Sequence, residues 1–392
     1  MLPLDGVTVI AVEQAVAAPF ATRQLADMGA RVIKIERPSV GDFARGYDTA
    51  VRGMASHFVW LNRSKESLTL DLKRPEAQGI LRRLLARADV FIHNLAPGAI
   101  DRLGFGAGAL RAAFPRLIAC EISGYGSSGP YARKKAYDLL IQSEAGLLSI
   151  TGTNDTPSKV GISIADIAAG MYAYTSVLTA LFVREKTGAG AAMEVSLFDA
   201  LGEWMGYPMY YAAYGPEAPR RTGAHHASIA PYGPVTTGDG EVVYLGIQNE
   251  REWRRFCEVV LEDPALAADP RFGSNAKRVE HRDVLDGLIA SRVATLSAEA
   301  LIERLDRAQI ANARMNTIQQ FLAHPQLAAR DRWREVDSPA GPLRALLPPV
   351  TYDRVEPAMG PVPDVGQHTD QILAELGIDA STVAAWRGDG VV

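Results

Sequence analysis

"VTVIAVEQAVAAPFATRQLADMGARVIKIE", residues 7–36, decides the fold. Val7–Val12 is a short apolar run broken only by Thr8, the pattern of a strand covered on both faces. "APFATRQLADMGA" (18–30) then reads as a helix, with Pro19 in its first turn and Gly29 at its end. "RVIKIE" (31–36) returns to a strand. Two such strands joined by a helix form a parallel pair with a right-handed crossover. The alternation continues outward through "SLTLDL" (67–72), the helix "PEAQGILRRLLARA" (75–88), and the strands "DVFIHNL" (89–95) and "LIACEISGYG" (117–126). The repetition gives an α/β fold with a Rossmann-like large domain.

Beyond this half the pattern changes. Residues 165–214 are dominated by long apolar helices, and "PEAPRRTGAHHASIAPYGPV" (216–235) is a loop rich in Pro, Gly and basic residues. "VTTGDGEVVYLGI" (235–247) carries an Asp-Gly turn between alternating segments and reads as a hairpin. The helical stretches "NEREWRRFCEVVL", "LSAEALIERLD" and "TIQQFLAHPQLAAR" complete a smaller α+β domain over 225–330. Residues 1–224 and 331–392 form the large domain, to which "HTDQILAELG" (368–377) returns as a helix. A chain of 392 residues is long enough for two cores.

With 41 basic and 45 acidic residues the formal charge is -4, so neither nucleic acid nor an anionic membrane is the expected partner. Cys120 and Cys257 lie in apolar surroundings without metal-ligand spacing and read as buried reduced thiols of a cytoplasmic protein. The N-terminus lacks a basic signal region and runs straight into a strand. Residues 165–183 match a bilayer in length, but Asp166, Gly170, Tyr172, Tyr174 and Thr175 argue for a buried helix instead.

Asp166 stands where that apolar run begins. As an N-cap it would satisfy the first amides of the helix. As a nucleophile it would use the same place, the helix-start amides keeping it ionised beside a dry wall. Residue types alone leave both readings open. "GFGAGAL" (104–110) lacks the strand before it and the third-glycine spacing of a dinucleotide fingerprint. "GYGSSGPY" (124–131) lacks nucleophile-elbow spacing, and reads as a tight turn or as backbone amides approaching a ligand. His225 and His226 are adjacent, diverge in extended structure and chelate no metal; their loop can cover a site. Arg37, Lys65, Lys73, Arg102 and Lys135 fall near strand ends, where several cations together can hold a diphosphate.

Six segments in order carry a resemblance: "PLDGVTVIAVEQAVAAPFATRQLADMGARVIKIERP" (3–38), "LNRSKESLTLDLK" (61–73), "HNLAPGAIDRLGFG" (93–106), "ISGYGSSGPYARKKAYD" (122–138), "VGISIADIAAGMYA" (160–173) and "VGQHTDQILAELG" (365–377). The chain resembles the family III CoA-transferases, which include formyl-CoA and carnitine CoA-transferases and α-methylacyl-CoA racemases. The resemblance implies a homodimer of interlocked rings, with acyl-CoA as substrate and no tightly bound cofactor. It makes Asp166 the covalent nucleophile. It places Gln14, Val16, Arg37, Leu72, Lys73, Asn94, Arg102, Lys135 and Tyr137 at CoA-contacting positions.

Racemases of this family carry a histidine, as a second base, where this chain has Tyr137. A phenol titrating near about 10 is a poor base at neutral pH but a good hydrogen-bond donor. The substitution favours transfer over racemisation. "RTGAHHASIAPYG" (221–233) stands where the formyl-CoA enzyme has a mobile glycine-rich loop, and its fewer glycines argue against oxalate. Residues 13–30, "GDFAR" (41–45), "HFVWLNRSK" (57–65) and residues 161–170 look similar to the succinyl-CoA branch that acts on C4–C5 dicarboxylates such as itaconate, mesaconate, citramalate or malate. Arg220, Arg221, His225 and His226 then become candidates for holding the second carboxylate. The competing readings are a racemase and a non-catalytic CoA-binding protein in which Asp166 is only a cap.

Overall fold

The computed structural model describes residues 1–215 and 218–392; Pro216 and Glu217, which open the expected basic loop, lie outside the described residues. The chain divides into two units. The first comprises Met1–Ala145, Val160–Gly206 and Ala328–Val392, and the second Gly146–Lys159 and Tyr207–Leu327.

In chain order the elements are β1 (Thr8–Val12), α1 (Ala17–Asp27), β2 (Arg31–Glu36), α2 (Ser56–Asn62), β3 (Lys65–Thr69), α3 (Pro75–Leu85) and β4 (Val90–His93). There follow the short α4 (Ala99–Arg102) and α5 (Ala107–Ala113), β5 (Ile118–Ser123), α6 (Asp138–Glu144), α7 (Leu147–Ile150) of the second unit, α8 (Ile164–Thr187), β6 (Ala192–Ser196) and α9 (Leu197–Trp204). The six strands form one sheet in the order β3-β2-β1-β4-β5-β6, every neighbouring pair parallel.

Both sheet faces are covered, which is why the strands read as continuous apolar runs. On one face Ile10, Ile33, Leu68 and Phe91 pack with Ile80, Leu81, Leu84 and Leu85, the apolar stripe of α3. Ile372 and Leu373, from the expected C-terminal helix (Thr369–Glu375), join the same core. α8 packs on α1, and also on β5, β6, α6 and α9. Gly170 makes the α1 contact possible, since a Cβ there would lie 2.7 Å from the Ala17 carbonyl oxygen. Among the described residues α8 alone is long and apolar enough to cross a membrane, yet Ala165, Ala168, Ala169, Ala173 and Val177 are buried against this unit.

Two elements differ from expectation. "SLTLDL" slides back to Lys65–Thr69, because those residues match Val32–Glu36 in register. "AMEVS" (192–196), read as part of a helical region, is the sixth strand, held by β5.

In the second unit β7 (Tyr232–Thr236), β8 (Val242–Gly246) and β9 (Ala311–Arg314) form an antiparallel sheet, and the β7–β8 pair is the expected hairpin. Its helices bury Trp253, Phe256, Leu285 and Leu301. This unit begins at Tyr207, earlier than the expected boundary at 225, and it also takes Gly146–Lys159. The reason is local. Gly223 N–H donates to Gly152, and the Arg221 guanidinium to the Thr153 and Asn154 carbonyls, tying the loop before 225 to that segment.

Candidate active site

Strand order reverses between β1 and β4, and the loops leaving their C-terminal ends form the ligand edge of such a sheet. Gln14 follows β1 and Asn94 follows β4. They are locked together: Gln14 N–H donates to Asn94 Oδ1 at 2.8 Å, and Asn94 Nδ2 donates to the Gln14 carbonyl at 2.8 Å. Phe43 N–H reaches Gln14 Oε1 at 3.1 Å. Val16 is buried at the start of α1, which has no side-chain cap.

The remaining CoA-assigned residues follow the other strands. Arg37 comes after β2 and donates to the Gly41 carbonyl, Leu72 and Lys73 come after β3, Arg102 lies in α4, and Lys135 and Tyr137 come after β5. Arg37, Lys73, Arg102 and Lys135 are all exposed at this edge.

Lys65 is the exception among the expected cations. It is fully buried, and its Nζ donates to Glu13 Oε1 (2.7 Å), the Pro19 carbonyl (3.1 Å) and Asn62 Oδ1 (3.1 Å), so no donor is left for a phosphate. Lys34 bridges Glu13 Oε1 (3.3 Å) and Asp42 Oδ2 (2.8 Å), also fully buried. Burial lowers the Lys65 pKa to about 7, with Glu13 opposing and Lys34 adding to the fall. Burial would raise Glu13, but the Lys34 and Lys65 charges outweigh it and the net shift is downward.

Asp166 lies in the first turn of α8 without capping it. The cap comes from Asp138, whose Oδ1 accepts from Ala165 N–H at 2.8 Å and faces Asp166 N–H at 3.4 Å. The capping reading of Asp166 therefore has no role left to fill. Its expected ionisation also needs correcting. Burial, and then the charge of Asp138, push the Asp166 pKa up to about 7.

Tyr137 precedes Asp138 and is exposed. Tyr47, which the sequence reading missed, joins this corner: burial and then the charges of Asp42, Asp166 and Tyr137 push its phenol up to about 12. Its ring meets His57 edge-on at 5.5 Å. Its one available signal was its place in the "GDFARGY" loop after β2.

Other candidates are accounted for. Ser127 Oγ donates to the Glu194 carboxylate at 2.7 Å. "GFGAGAL" follows α4 rather than a strand. Cys120 and Cys257 are buried and free, burial pushing both thiols up to about 12. No metal-binding cluster occurs among the described residues. Arg220, Arg221, His225 and His226 belong to the second unit. There Arg220 and Arg221 line a cavity of about 490 Å³ together with Arg282 and Tyr207. His225 Nδ1 lies 3.9 Å from Asp286 and His226 stacks on Tyr232, with ring centroids 5.1 Å apart.

A parallel sheet with cations along its ligand edge, and one high-pKa carboxylate flanked by phenols, define an α/β enzyme that works on an anionic substrate. The chain belongs to CoA-transferase family III, whose model matches residues 4–369. It is 33% identical over 391 residues to succinate–glutarate CoA-transferase of Agrobacterium fabrum, covering 95% of this chain and 96% of the relative. It is 32% identical to succinyl-CoA–D-citramalate CoA-transferase of Chloroflexus aurantiacus, covering 95% and 94%. A solved CAIB/BAIF family protein from Brucella suis superposes with TM-score 0.83 at 33% identity, covering 96% of this chain and 99% of that one.

Proposed function

We propose that this CoA-transferase moves CoA from succinyl-CoA to a C4–C5 dicarboxylate through a covalent intermediate on Asp166. The observation that carries the reading is Asp166 itself, a carboxylate freed from capping by Asp138 and raised to a pKa of about 7. The relatives named for succinate, glutarate and citramalate support the substrate class.

The Asp166 carboxylate attacks the thioester carbonyl, forming an anhydride and releasing CoA thiolate. The thiolate attacks the aspartyl carbonyl, giving an aspartyl-CoA thioester and free succinate. The acceptor carboxylate attacks that thioester, releasing the thiolate and forming a second anhydride. The thiolate then attacks the acceptor carbonyl and restores Asp166. The carboxylate attacks each form a C–O bond and break a C–S bond, the thiolate attacks do the reverse, and there is no redox change. Tyr137 and Tyr47 donate to the developing oxyanions, and Gln14, Val16, Arg37, Leu72, Lys73, Asn94, Arg102 and Lys135 hold CoA along the sheet edge. Arg220, Arg221, His225 and His226, in the second unit, are the proposed groups for a dicarboxylate's second carboxylate. The working form is an interlocked homodimer, a reading supported by exposed apolar residues such as Phe182 on α8 and Tyr214.

Incubation with succinyl-CoA and a panel of acids (itaconate, mesaconate, citramalate, malate and glutarate) tests the reading. A new acyl-CoA is expected, together with a borohydride- or hydroxylamine-trapped Asp166 peptide. α-Proton exchange of a 2-methylacyl-CoA without transfer to any acid would make the protein a racemase, and an unmodified Asp166 with bound CoA would make it a binding protein.

A further inference from the structure

The loop Gln14–Val16 is built in a way its own sequence does not favour. Ala15, a residue with a Cβ, holds φ of +60°. Its N–H donates to Asp42 Oδ1 at 3.0 Å, and the same oxygen accepts from Ala44 N–H at 2.9 Å. The other Asp42 oxygen takes Lys34 Nζ at 2.8 Å, while Asp42 N–H donates to Glu36 Oε1 at 2.8 Å. Lys34 continues to Glu13, the residue before Gln14, whose second oxygen accepts from Thr22 in α1 at 2.6 Å. Asp42 and Lys34 are fully buried. A buried ion pair of this kind contributes little net stability compared with apolar residues of the same size, so its value lies in fixing one arrangement.

Two segments hang on Asp42. One is the Gln14–Val16 loop at the sheet's switch point. The other is the turn from Phe43 to Tyr47, which brings the Tyr47 phenol to the Asp166 corner. We infer that Asp42, backed by Lys34, is a positioning residue that sets both walls of the site at once and governs the acyl-transfer steps. Gln14 and Val16, assigned to CoA, lie in the first of these walls, so loss of Asp42 also weakens acyl-CoA binding, but less than it slows transfer, because Arg37, Lys73, Arg102 and Lys135 do not depend on Asp42. This rests on the reading of Asp166 as the reacting group.

Asp42→Ala and Asp42→Asn in the full-length protein test it, the second variant keeping an acceptor for Ala15 and Ala44. In Asp42→Ala, hydrogen exchange read by mass spectrometry is expected to rise over residues 14–17 and 43–47 while β1 and β4 stay protected. kcat should fall about 100-fold, with KM for acyl-CoA rising by a smaller factor, about tenfold or less, as the Gln14–Val16 contacts loosen. Asp42→Asn, which keeps the acceptor for Ala15 and Ala44 but turns an amide donor toward Lys34, should recover part of kcat and lie between Asp42→Ala and wild type. Unchanged exchange in the two loops, exchange rising across the whole sheet, a kcat within twofold of wild type, or a change confined to KM would each overturn the inference. If wild type transfers no CoA to any acid, the reading of Asp166 fails, and the exchange measurement still decides whether Asp42 orders the two loops.

Discussion

Replacing Asp166 by Asn should stabilise the protein while destroying its activity, and the gain should depend on pH in a defined direction. The Asp166 pKa rises from its ordinary 3.8 to about 7, first through burial and then through Asp138. Between these two values the folded protein holds a proton that the unfolded chain has released. Wild-type stability therefore falls as pH rises through that window and levels off above it. A shift of about 3 units has a ceiling near 4 kcal/mol, and the partial exposure of Asp166 reduces this to roughly 1–3 kcal/mol. Asn keeps the shape and cannot titrate.

Urea unfolding at fixed protein concentration, from pH 4 to pH 8.5, measures the difference. The two proteins should be about equal at pH 4, with Asn more stable by that amount at pH 8. Wild-type kcat/KM should rise with pH through an apparent pKa close to 7, since only the carboxylate attacks. Parallel stability curves, or a variant less stable at pH 8, would refute the assignment of a raised pKa to this side chain.

Three further changes probe the same corner. Asp138→Asn keeps the acceptor for Ala165 and Asp166 amides but removes the neighbouring charge, so the acid limb of the rate profile should move to lower pH with activity retained. Tyr47→Phe should lower kcat about tenfold with little change in acyl-CoA KM, read by steady-state kinetics. Gly170→Val drives a branched side chain against the Ala17 carbonyl at 2.7 Å and the Phe20 ring at 3.0 Å; a loss of about 1–3 kcal/mol is expected in urea unfolding, and kcat should fall as α1 shifts.

The β1–α1–β2 stretch was legible because a parallel sheet covered on both faces leaves an unmistakable trace, short apolar runs separated by one helix. β6 left none. It is an edge strand of five residues in which only Ser196 is buried, and it follows the 24-residue α8 so closely that its sequence passes for a continuation. The place of Asp166 was legible from its segment, but its electrostatics were not. They are set first by burial and then by Asp138, which lies 28 residues away in sequence and is brought beside it only by the packing of α6 on α8. Lys65 failed for the same reason: nothing local marks a lysine whose partners are Glu13, Pro19 and Asn62.

The raised pKa of Asp166 changes what the site is good for. An ordinary aspartate is a weak nucleophile and an excellent leaving group, so an anhydride formed on it lies far uphill of a thioester. A carboxylate whose pKa stands at about 7 attacks better and leaves more reluctantly, which lowers the anhydride relative to both neighbouring thioesters. On the proposed mechanism, the protonated form that this shift favours does not attack, so activity should fall as pH drops below neutrality. Burial supplies the larger share of the rise, and Asp138 adds to it with its own charge while it occupies the helix-start amides. The residue that caps α8 is thus also the one that tunes the carboxylate beside it, and Asp138→Asn separates the two roles because the amide retains the cap and loses the charge.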